Sequence, residues 1–170
     1  MKRPTHESVT GTTRGTIRSW MSEFREEIPH AISYNINALG ADGGFDDIHT
    51  SYRIYRIPDG MQQGDKISPT EWIQTAGTAE RLTVEIKKQD SDGIYRQYVV
   101  GRSGGAEEQD ETESIQFGDF ELPVRPSEVL TAADAIDLFL EFYDYNAIPP
   151  VWHLRPLSAE TLAAQGATAT

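Results

Sequence analysis

Residues 127–157, SEVLTAADAIDLFLEFYDYNAIPPVWHLRPL, constrain this chain more than any other stretch. Thr131 is placed to cap a helix, because its hydroxyl can accept from the free amides of the first turn. Asp134, three places on, puts a carboxylate where the positive helix end favours one. Ala135, Ile136, Leu138, Phe139, Phe142 and Tyr143 then form an apolar stripe at helical spacing, with Asp137, Glu141 and Asp144 on the other side. Pro149 and Pro150 stop the helix, since each lacks an amide donor and restricts the residue before it. Residues 151–155 (VWHLR) alternate as a strand returning to the same core. The rest of the chain is expected to pack around this helix.

A second clear unit lies just upstream. Residues 81–87 place Leu82, Val84 and Ile86 on one face of a strand and Thr83, Glu85 and Lys87 on the other. Asp92-Gly93 is a strong reversal signal, and residues 94–101 return with Tyr95, Tyr98, Val99 and Val100. Such a hairpin predicts an antiparallel sheet with one dry face and one wet face.

The remaining segments are less regular. Residues 1–13 are polar and read as a disordered lead. Ile17, Trp20, Met21, Phe24 and Ile28 fall at steps of three and four, which predicts a helix closed by Pro29. Residues 31–36 alternate as a strand, residues 51–57 (SYRIYRI) as another, and residues 58–78 read as irregular with Trp72 and Ile73 as anchors. Ile115, Phe117 and Phe120 predict a further strand, and residues 158–170 a flexible tail. The fold class is therefore α+β. A mostly antiparallel sheet packs against an N-terminal and a C-terminal helix in one domain spanning residues 14–157.

Charge supplies the clearest global feature. Asp and Glu number 27 against 15 Lys and Arg, a formal net charge of -12. Such a surface repels phosphate backbones and attracts a basic partner, so nucleic acid is not the expected ligand. Ordinary solubility, or life in a salty cytoplasm, accounts for the same acidity without any partner. Five acids, Glu107, Glu108, Asp110, Glu111 and Glu113, cluster behind Gly104-Gly105. They read either as a solvated loop or as a negative prong aimed at a cationic groove. Tyr95, Tyr98 and Trp152 are the candidate aromatic anchors of such an interface, if exposed.

Several kinds of chemistry are excluded or weakly supported. With no cysteine, disulfides and thiolate zinc sites are out. No run approaches the roughly 20 apolar residues of a membrane helix. The N-terminus lacks the apolar core of a secretory signal, so a cytoplasmic protein is expected. The four histidines show no zinc-site spacing. Asp42, Asp46, Asp47 and His49 gather around a Gly-rich loop as weak candidates for a hard-cation site. A turn rich in Asp and Gly needs no metal to explain it. No nucleophile elbow or phosphate loop occurs, and no cofactor is called for.

Five pieces carry a family likeness: the strands 82–86 and 94–100, the Gly104-Gly105 loop, the helix 132–143, and Ile148-Pro149-Pro150-Val151-Trp152. In this order they resemble the small immunity proteins encoded beside bacterial polymorphic toxins, especially those neutralising deaminase and nuclease toxins. That family shows a β-meander, a Gly-containing loop, an amphipathic helix, then a proline and a terminal strand with Trp. Residues before Arg81 depart from it. The resemblance implies a cytoplasmic, non-enzymatic inhibitor that occludes the active site of a basic cognate toxin. The alternatives are a small-ligand or structural α+β module with a pocket between sheet and helix, and a metal-assisted hydrolase using the Asp42 cluster.

Overall fold

Every strand of the large sheet runs antiparallel to its neighbours. The computed structural model describes residues 3–104 and 110–168. Its seven-stranded sheet has the order β2-β1-β3-β4-β5-β6-β9. The strands are β1 (His6–Thr12), β2 (Gly15–Trp20), β3 (His49–Arg56), β4 (Trp72–Gly77), β5 (Leu82–Gln89), β6 (Tyr95–Gly101) and β9 (His153–Pro156). A separate hairpin joins β7 (Glu113–Phe117) to β8 (Phe120–Val124). Three helices complete the α+β architecture: α1 (Ile28–Asn37), α2 (Ala132–Tyr145) and α3 (Ala159–Thr168). Among the described residues, no helix is long and apolar enough to cross a membrane.

The C-terminal helix forms as its sequence predicts. The Thr131 amide donates to Asp134 Oδ2 at 3.0 Å, closing the first turn, and Asn146 ends the helix in the left-handed region at φ 54°. Ala135, Leu138, Phe139 and Phe142 are buried. They pack with Ile28, Ile32 and Ile36 of α1 on Tyr52, Ile54, Ile73, Val84 and Ile86 of the sheet. Phe139 stacks on Tyr52 with ring centroids 5.6 Å apart. Burying side chains of this size yields about 1.5–3 kcal/mol each, which makes this layer the main source of stability. At the open end of the helix pair, Arg25 clamps Asp144 through two bonds of 2.8 and 2.7 Å.

The N-terminal third departs from the sequence reading. The polar lead is in fact β1, a strand held between β2 and β3. Its side chains gave no apolar signal because backbone pairing on both edges holds it. The expected helix from Thr16 is β2, turned back on β1 through Thr13-Arg14. Helical spacing there was coincidental, and Thr16 and Ile17 suit a pleated strand. The expected strand at 31–36 is α1, with Pro29 in its first turn, where a missing amide costs nothing. Ile28, Ile32 and Ile36 lie four apart, an even step that satisfies the periods of helix and strand alike. Residues 72–77, expected to be irregular, form β4 at the centre of the sheet. Residues 159–168, expected to be a flexible tail, form α3.

The second sheet face is not wet. Val99 packs with Ile115, Leu122 and Val124 of the β7–β8 hairpin and with Leu157. The connector before β4 lays Ile67 against Tyr55 and Trp72. Thr83 and Glu85, expected to be solvated, are 1% and 0% exposed.

Candidate functional site

The covered sheet face carries a cross-strand row of unusual chemistry. Strand registers set Arg18 opposite Val9, Val9 opposite Arg53, Arg53 opposite Gln74, and Gln74 opposite Glu85. The row continues through Val99 to Arg155. Alternation puts all of these side chains on one face, so their meeting follows from register alone.

Glu85 sits at the middle of that row and, among the described residues, has no ion pair. Its partners are amides: Gln74 donates to one carboxylate oxygen, and Gln165 of α3 reaches both at 3.3 and 3.2 Å. Gln97 in turn donates to Gln165 at 2.9 Å. Arg53 donates through Nε to Gln74 at 2.9 Å and lies over the Trp72 ring, 4.5 Å from its centroid. Burial pushes the Glu85 carboxyl up, against the hydrogen bonds from Gln74, Gln165 and Gln97 and the charge of Arg53. Burial likewise lowers the Arg53 guanidinium. Beside this network lies a cleft of about 390 Å³ between the sheet, α3 and the tip of the β7–β8 hairpin. Trp72, Phe117, Asp119 and Leu162 are among its walls.

A second buried carboxylate stands farther along the same face. Glu128 is 0% exposed and accepts from Arg155 Nε and Nη2, both at 2.8 Å, in a fork that matches guanidinium to carboxylate. It also accepts from the Arg125 amide at 2.7 Å. Gly101 packs closely beside it, since a Cβ there would stand 3.0 Å from Glu128 Cγ and press on that side chain.

The residues singled out from sequence are scattered. Glu107 and Glu108 lie outside the described residues. Asp110 is exposed. Glu111 and Glu113 are drawn inward, to Arg155 at 2.8 Å and to Arg81 at 2.6 Å. Tyr95 is 41% exposed. Tyr98 is half-buried, donates to Asp90 and packs under the Lys88 ammonium. Trp152 is half-buried against the helical core. In the Asp-Gly loop, Asp42 accepts from the Gly44 amide at 2.8 Å and Asp47 from the Arg14 amide at 3.1 Å. The first shapes the turn and the second ties this loop to the β1–β2 turn, and among the described residues no group of three His, Asp or Glu is placed to hold a metal ion.

Sequence reasoning missed Glu85 and Glu128 as buried groups. The signal for Glu85 was its place inside the run Leu82-Thr83-Val84-Glu85-Ile86, whose other members are apolar or β-branched. Comparison with protein-family models, curated proteins and solved structures found no match.

Proposed function

We propose that the protein is a non-enzymatic acidic binding protein, a cytoplasmic inhibitor of the immunity type that occludes a basic toxin or enzyme. The carrying observation is how the charges are spent. Arg25, Arg81, Lys88, Arg96, Arg102 and Arg155 are all held in internal ion pairs. These pairs take up about as many acids as cations, so the acidic surplus behind the net charge of -12 is left unanswered, a field that steers a basic partner inward. Around the helix layer, Glu26 and Asp137 are exposed and, among the described residues, make no ion pair, and Phe24 and Tyr145 are 45% and 71% exposed. Charge with a few aromatic anchors is what a tight interface requires. The polar groups beside the 390 Å³ cleft bond to one another, which supports a structural use of Glu85 over a chemical one.

The test is a pull-down from native lysate and secretome at low and high salt. The expected result is a basic protein captured at low salt and weakened by charge reversal at Glu107, Glu108 and Asp110 or at Glu26 and Asp137. Capture of no basic protein at either salt would sink the proposal. The small-ligand reading would then take precedence, on the strength of the cleft over Arg53 and Trp72.

A further inference from the structure

The cleft where β1 and β3 end against α2 differs in charge from the rest of this acidic molecule. It encloses about 490 Å³, and its walls include Arg3, Thr5, His6, Arg56, Tyr143 and Asp144. Asp144 is already taken by Arg25 through two bonds of 2.8 and 2.7 Å. Arg3 donates to the Met61 carbonyl, which leaves its positive charge uncancelled. Arg56 is exposed at the end of β3 and, among the described residues, its side chain makes no hydrogen bond or ion pair. With Asp59 also on the wall, and counting Arg25, which pairs with Asp144 but is not itself on the wall, three guanidinium charges stand against two carboxylates in a chain whose net charge is -12. A free guanidinium is a planar fork suited to a carboxylate or phosphate.

The floor of the cleft is built rather than incidental. His6 is 3% exposed and stacks on Tyr143 with ring centroids 4.1 Å apart. Thr5 Oγ1 joins the two residues, 2.9 Å from His6 Nδ1 and 3.3 Å from the Tyr143 hydroxyl. The other ring nitrogen, Nε2, is buried and has no hydrogen-bond partner among the described residues. Such an orphan is uncommon in a folded protein. Burial, then the nearby Arg56 charge, holds His6 at about 4 against an opposing effect of Asp144. The ring is therefore neutral at pH 7. Pro4, Ile57 and Pro58 supply apolar wall.

We propose that this cleft is a binding site for a small organic anion, whose carboxylate or phosphate is held by Arg56 and Arg3 and whose apolar body lies by Ile57, Pro58 and the His6–Tyr143 stack. This site is independent of the protein-binding reading and shares no residue with the surface proposed for it.

The test uses the full chain, with benzoate, phenyl phosphate, inorganic phosphate and neutral benzamide as probes. The readout is the assigned ring resonances of His6 by NMR, titrated at pH 7. Benzoate or phenyl phosphate should shift those signals saturably, and Arg56→Gln should weaken the binding at least fivefold with an unchanged unfolding midpoint. The proposal fails if neither aromatic anion shifts His6, if benzamide binds equally well, or if Arg56→Gln leaves affinity intact. Equal binding of inorganic and phenyl phosphate would remove the apolar body from the assignment.

Discussion

Glu85 and Glu128 are buried to the same degree on the same sheet face, yet the protein answers their charges in opposite ways. Glu128 receives a guanidinium fork from Arg155 and an amide from Arg125. Glu85 receives side-chain amides, with its nearest cation acting through Gln74. A buried ion needs either a partner charge or a proton, because desolvation penalises the bare ion heavily. The ion pair answers that need at Glu128. At Glu85 the carboxyl moves towards its protonated form. Burial alone thus says little about a carboxylate's role; its neighbours decide its charge.

Breaking the pair should produce the largest effect. Arg155→Met removes the guanidinium fork from buried Glu128 and is expected to cost about 3–5 kcal/mol, read from urea unfolding at pH 7. An unchanged midpoint would mean that water or a rearranged cation reaches Glu128.

Removing the unpaired carboxylate should cost less. Glu85→Leu leaves the Gln74 and Gln165 amide donors unmet and is expected to lose about 1–3 kcal/mol in the same assay. A gain in stability would show that these amides find other partners.

The mildest change sharpens the contrast most. Glu85→Gln keeps the size and an acceptor oxygen, and should alter stability at pH 7 by less than about 1 kcal/mol. Its signature lies in the pH dependence. A carboxyl whose pKa rises on folding holds its proton more tightly in the native state. Its contribution is full below the unfolded value of about 4.3 and is lost as pH climbs through the raised folded value. The parent should therefore lose stability over that interval with a slope of up to about 1.4 kcal/mol per pH unit, and Glu85→Gln should lose that component. Identical pH profiles for the two proteins would show that Glu85 is ionised normally.

Much of the C-terminal half was legible in the residues. The α2 stripe, its Thr131–Asp134 start and the Pro149-Pro150 stop are local signals that tertiary contacts reinforce. The alternation of Leu82, Val84 and Ile86 correctly named the face that meets the helices. The candidate site was much less legible. Arg53, Gln74 and Glu85 are spread over three strands, and nothing local to any one of them reveals the other two. The cleft at His6 and Arg56 was hidden for the same reason, since its first wall lay in a stretch that read as a loose lead.

By itself, the sequence determined the fold class, the helix upstream of the proline pair, the central hairpin and the acidic balance. Those follow from side-chain period, capping and turn chemistry, which act within a few residues. Only the tertiary structure decided that residues 6–12 are a strand, that residues 28–37 are a helix, and that the second sheet face is covered. A polar strand is stabilised by backbone partners far away in the chain, and the period of Ile28, Ile32 and Ile36 is ambiguous until a sheet lies beneath it. The chemistry of Glu85 was settled the same way, when α3 and the β7–β8 hairpin closed over a face whose alternation alone predicts contact with water.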